Sequence, residues 1–222
     1  VNIPDVLFKN RLVNNPLINT NGNTEIDTNE AKAYLGAINT NFINVSNLTG
    51  IEAFVNITEL HCEYNLLSSI NVTKNTKLTK LYCTGNQLSN LNVSQNILLT
   101  ELNCSANQLT SIDVSNDTNL SFLNCGGNNI SLLNVASNKK LIRLYCHQNR
   151  LTSLNISMDT LITDLICDVN RLDSLNLKKN KQLTKLICDN NPTLKSLDLS
   201  KNINLVQLSC NYDSLSTLDV SK

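Results

Sequence analysis

The chain has 222 residues, 41% hydrophobic and 4% aromatic, with 18 basic and 18 acidic side chains. That balance excludes the strong field on which polyanion binding depends, so neither nucleic acid nor an anionic membrane surface is an expected partner. No apolar run approaches the roughly 18 residues that cross a bilayer as a helix, and the opening VNIPDVLFKNR lacks a signal-peptide core, so membrane insertion by this segment is not expected.

Residues 1–56 differ in pattern from the rest of the chain. Pro4 suits the first turn of a helix, and Val6, Leu7, Phe8, Leu12 and Val13 give that helix an apolar face as far as about Val13. Beyond a polar loop, Asp27-Thr28-Asn29-Glu30 reads as a capping box that opens a second helix ending near Gly36. The stretch from Asn19 to Glu30 also has the length of an EF-hand calcium loop. Asn19, Asn21, Asn23, Glu25 and Asp27 fall at its alternate ligand positions and Glu30 at the bidentate last one. The first three ligands are neutral and Thr24 stands where such a loop wants glycine, so a polar turn serving the capping box is the favoured expectation, with a weak Ca²⁺ site as the alternative. No other cofactor is expected. Residues 40–56, with Ile43-Asn44-Val45-Ser46, read as an incomplete first coil. The segment 1–56 is therefore expected to be a helical cap over the apolar end of the adjoining array.

From Ile57 onward the sequence repeats. Cys62, Cys83, Cys104, Cys125, Cys146, Cys167, Cys188 and Cys210 are spaced by 21 residues six times and then by 22. A fixed period of this length marks a solenoid of stacked coils. Eight coils over 57–222 begin at Ile57, Leu78, Leu99, Leu120, Leu141, Ile162, Leu183 and Leu205, each reading L-x-x-L-x-C-x-x-N-x-L-x-x-L-x-V with Ile or Leu substituting at apolar positions. The L-x-C alternation predicts a short strand per coil and one parallel sheet across them. Adjacent strands lie about 4.7–4.9 Å apart, whereas disulfides need Cβ atoms at about 3.5–4.5 Å. The cysteines are thus expected to be an inward ladder of free thiols acting as small apolar groups. Three residues after each stands Asn65, Asn86, Asn107, Asn128, Asn149, Asn170 or Asn191, with Asp213 in the last coil. A buried amide there is expected to pair with the backbone of the next coil. The return legs, too short for an α-helix, should be extended or 3₁₀ on the convex side.

This consensus resembles the leucine-rich repeat family, and closely its bacterial 21-residue, internalin-type variety with a cysteine ladder. The phrase LTKLYCTGNQLSNLNVS, together with Ile3-Pro4-Asp5, Phe8-Lys9 and Asn19 to Gly22, is also similar to secreted or surface proteins of flavobacteria. The resemblance implies a mostly β leucine-rich repeat solenoid with its parallel sheet on the concave side. It further implies a secreted or surface-displayed ligand-binding or adhesive role, with a protein or glycan partner that includes host proteins. Because solenoids normally close with a polar cap and this one stops at LDVSK, partway round a coil, the natural sequence is expected to continue.

Only outward strand positions are free to vary. Phe122, Tyr145, Ile166 and Ile187 are apolar where the consensus does not require it, and with Tyr82, Arg143 and His147 they are the candidate ligand contacts. The alternative is that Tyr and Ile merely favour strands and pack sideways, while Arg143–Asp164–Lys185 and His147–Asp168–Asp189 pair as cross-strand charges. Catalysis has little support. His61 and His147 lie four strands apart, about 19 Å at normal spacing, the thiols face the core, and Gly126-Gly127 opens no helix as a phosphate loop would. The sequence is expected to be a non-catalytic recognition module, with a ligandless structural spacer as the alternative and an enzyme less favoured than either.

Overall fold

The computed structural model describes residues 1–221. Helix α1 spans Val6–Val13 and is capped by Asp5 rather than opened by Pro4; the Asp5 carboxylate accepts from the amides of Leu7 and Phe8, both at 3.0 Å. Its other oxygen accepts from the Ser46 amide at 2.9 Å, the Ser46 hydroxyl at 3.0 Å and the Asn47 amide at 3.2 Å. One side chain therefore starts the helix and fastens it to the first coil. Burial works against the charge of Asp5, but these donors outweigh it and hold the carboxyl below its ordinary range. Helix α2, Thr28–Ala33, opens on the expected capping box of Asp27 and Glu30. It stops short of Gly36 because Tyr34 is already extended, leading into strand β1, Ala37–Asn39.

One strand per coil comes next: β2 (Glu59–His61), β3 (Lys80–Tyr82), β4 (Glu101–Asn103), β5 (Phe122–Asn124), β6 (Arg143–Tyr145), β7 (Asp164–Ile166) and β8 (Lys185–Ile187). On the return leg of the seventh coil lies β9 (Ser196–Asp198), followed by β10 (Gln207–Ser209) and, on the return leg of the eighth, β11 (Thr217–Asp219). The concave sheet is parallel, nine-stranded and ordered β1 to β8, then β10, while β9 and β11 pair separately. The pairing is in strict register, so Leu60, Leu81, Leu102, Leu123, Leu144, Leu165 and Leu186 form one buried row. The strand β1 is an addition to the expected half-coil: the cap supplies a full rung. Thr40 stands there in place of a cysteine, fully buried, its hydroxyl 3.2 Å from the carbonyl of His61. Most return legs are extended and bent. Among the described residues the one 3₁₀ turn, Ile51–Ala53, lies in the cap's own coil.

All eight cysteines are free, seven buried and Cys210 half-buried. Burial raises every thiol, Cys125 to about 12, so these groups stay protonated and unreactive at neutral pH. The turn asparagines reach back to the preceding coil, not on to the next. Asn86 donates to the carbonyls of Cys62 at 2.9 Å and Cys83 at 3.0 Å, and accepts from the Leu67 amide at 3.0 Å. At the cap end of the sheet, Arg11 of α1 donates to the Asn39 carbonyl at 2.8 Å and covers the edge of β1.

Candidate recognition surface

Alternate residues of each short strand face the core, so the first and third residues project from the concave side. Register then brings Phe122 beside Arg143, and Tyr145, Ile166 and Ile187 into one row. The Arg143 guanidinium carbon lies 4.4 Å from the Phe122 ring centroid, and the Phe122 and Tyr145 rings meet edge-on at 5.4 Å. Arg143 leans on the aromatic ring, and no ion pair joins it to Asp164, or Asp164 to Lys185, among the described residues. Asp164 instead accepts from the Thr163 hydroxyl at 2.6 Å. The expected charge ladder there is therefore replaced by a cation stacked on a ring. His147 is laid flat over Gly126, where a Cβ would collide with its ring. The imidazole Nδ1 is buried without a partner among the described residues.

Tyr82 sits apart from that row, three strands from Tyr145, with Asn103 and Asn124 between. Its hydroxyl donates to Glu101, the neighbour of Phe122, so it joins the patch through that carboxylate. Burial, then the contact with Glu101, pushes its phenol well above the ordinary value. Beside it, the His61 ring meets it at a tilt with centroids 4.9 Å apart and lies between Glu59 at 3.0 Å and Glu63 at 3.9 Å, while Lys80 pairs with Glu59 at 3.4 Å. The two outward strand columns and the column just after each ladder cysteine carry six carboxylates (Glu59, Glu63, Glu101, Asp164, Asp168, Asp189) against the cations Lys80, Arg143 and Lys185. The concave wall is thus acidic on a chain that is neutral overall.

No family model and no curated protein sequence matches the chain. Among solved structures, it is 33% identical to a functional domain of InlJ from Listeria monocytogenes that includes a cysteine ladder, superposing with a TM-score of 0.91 over 98% of this chain and 48% of that one. The chain is a leucine-rich repeat protein of the cysteine-ladder type. It spans about half the length of the InlJ domain. Internalin C2 of Listeria monocytogenes shares the fold at 20% identity and a TM-score of 0.80, over 96% of this chain and 94% of that one. A leucine-rich repeat protein of Leptospira interrogans shares it at 22% identity and 0.63, over 78% and 53%. The leucine-rich repeat fold is typical of protein-interaction modules.

The loop of this leucine-rich repeat cap is closed by its own donors. Glu30 accepts from the Thr20 amide at 2.7 Å, the Asn21 amide at 3.1 Å and the Asp27 amide at 3.0 Å. The oxygens of Asn19, Asn21 and Asn23 take the amides of Gly22, Asn23 and Glu25, Asp27 Oδ1 takes both Asn29 and Glu30, and Glu25 pairs with Lys9. As arranged, each of these side chains has at least one oxygen engaged by the loop or by its neighbour Lys9. Two exposed aromatics were not legible as a pair in the sequence. Phe42 and Tyr64 stack with ring centroids 4.8 Å apart at the cap end, and the Tyr64 ring lies over Gly85. Their shared position, two residues after the ladder column, was the available signal.

Proposed function

We propose that this chain is a non-catalytic recognition module, secreted or surface-displayed, which holds a protein partner against its concave sheet. The observation that carries the reading is the exposed Arg143 guanidinium, stacked on Phe122 and flanked by Tyr145 without an acidic partner among the described residues. Stacked Arg–aromatic groups on a rigid surface are the usual anchors of protein interfaces. Ile166 and Ile187 extend the apolar row, and His147 borders it. The carboxylates on either side favour a partner segment that carries cationic side chains.

The test compares the chain with its Tyr145→Ser/Ile166→Asp and Arg143→Ala variants in capture from cell-surface extracts, each variant first checked for an unchanged melt. Loss of the same captured proteins from all variants, with capture weakening as salt rises, is the expected result. An identical set from the parent and the variants would favour a spacer without a ligand. Retention of glycan but not of protein would shift the partner to a sugar.

A further inference from the structure

A second ladder of side chains runs along the convex side. Asn75, Asn96, Asn138, Asn180 and Asn202 occupy one position of successive coils and are fully or almost fully buried. Each amide nitrogen donates to two main-chain carbonyls of the coil before. Asn96 reaches Val72 at 3.0 Å and Asn75 at 2.9 Å, Asn138 reaches Val114 and Asp117 both at 2.9 Å, and Asn180 reaches Ile156 and Asp159 both at 3.0 Å. The Oδ1 atoms of these asparagines have no partner among the described residues, so this column works as a donor only.

Asp117 and Asp159 hold the same position in the coils that carry Glu101 and Arg143. Both have 0% exposure, and all four carboxyl oxygens lack a hydrogen-bond partner among the described residues. The register of the ladder sets Asp117 against the carbonyls of Val93 and Asn96, and Asp159 against those of Val135 and Asn138. A carboxylate there would press negative charge onto carbonyl oxygens in a dry site. A carboxylic acid, in contrast, has an O–H to give. We infer that Asp117 and Asp159 are buried proton-binding sites: each is held as the neutral acid, its O–H standing in for the amide of the ladder, and loss of that proton loosens the joint to the preceding coil.

The surroundings agree. Burial pushes Asp117 up to about 7 and Asp159 to about 6 from an ordinary 3.8, with the charge of Asp113 adding to the first. From the coils packed on either side the ladder presents only neutral amides, Asn96 and Asn138 to Asp117 and Asn138 and Asn180 to Asp159. A group whose folded value is raised lends its stability fully below the unfolded value and withdraws it as pH climbs through the folded one. The solenoid should therefore be tightest in mild acid and give up this contribution between about pH 4 and 7. The joint at Asp159 lies between the coils that supply Phe122 and Arg143, so its proton bears on the stack at the centre of the concave wall.

The experiment is a set of thermal melts of the full chain, and of Asp117→Asn, Asp159→Asn and the double variant, from about pH 5 to about pH 8. Asn already serves at this position in five other coils, so the variants should fold. The expected result is a higher Tm than the parent near pH 8, a gap that narrows steadily toward pH 5, and a pH dependence in the double variant reduced by roughly half or more. An infrared band of a protonated carboxylic acid at about neutral pH, present in the parent and absent from the double variant, is the second readout. Parallel Tm profiles for parent and double variant, or no acid band in the parent, would overturn the inference.

Discussion

Every coil bends through left-handed backbone two residues after its ladder position, and most do so without glycine. Gly85 and Gly127 take that conformation freely; Tyr64, Ala106, Gln148, Val169, Asn190 and Tyr212 take it at φ between 49° and 59°. Val169, β-branched and at φ 53°, is the most costly of these choices. Val169→Gly should raise stability by up to about 1 kcal/mol, the left-handed penalty removed less the entropy that glycine adds. Chemical denaturation with an unchanged slope checks it, and a loss of stability would show that the valine packs usefully. This column was illegible in the sequence because no single residue type prevails there; the demand is on the backbone, and the coils meet it with Gly, Tyr, Ala, Gln, Val or Asn. The outward contacts were legible as residue types, but Arg143 stacking on Phe122 instead of pairing with Asp164 depended on side-chain geometry that no spacing encodes.

At the scale of the element, the chain is held by side chains that repair backbone. Asn107 donates to the carbonyls of Cys83 at 3.0 Å, Cys104 at 3.1 Å and Ser105 at 3.0 Å, and accepts from the Leu88 amide at 3.0 Å. Asn107→Ala leaves those buried groups unpaired and should cost about 3 kcal/mol, measured as a shifted denaturant midpoint. The cap has the opposite chemistry from the convex ladder. Glu30, held below its ordinary range first by the Asp27 amide, and Asp5 both favour the charged form. Their contribution is present above the unfolded values of 4.5 and 3.8 and is lost as pH falls below them. Helical signal should drop in stronger acid while the solenoid persists, which circular dichroism against pH would detect. Millimolar Ca²⁺ should leave the melt of the cap unchanged, and an upward shift would show the Glu30 network opening to the ion. The capping box was legible because its bonds are local. Strand β1 was not, since Thr40 replaces the cysteine that marks every other rung, and the convex Asn column lies beyond the repeat consensus read from the sequence.

For the whole molecule, period alone specified the architecture: a 21-residue repeat with one inward cysteine leaves room for a single three-residue strand and an extended return. Stability in such an array is close to a sum over neighbouring coils, with little to hold distant parts in common. The thiols report on that directly. The seven buried ones should resist a thiol reagent until their coil opens, and Cys210, half-buried, should be modified first. Modification of Cys104 or Cys125 before Cys210 would mean that the centre opens independently of the end.

Among the described residues, the guard that Arg11 and α1 place over β1 has no counterpart beside β10, whose outer backbone meets solvent in this chain. An array guarded at one end opens first at the other. Amide exchange should accordingly run as a gradient, fastest at β10 and slowing rung by rung toward the guarded end. The strands that carry Phe122 and Arg143 sit midway along that gradient, so several turns would have to come undone before the grip is lost.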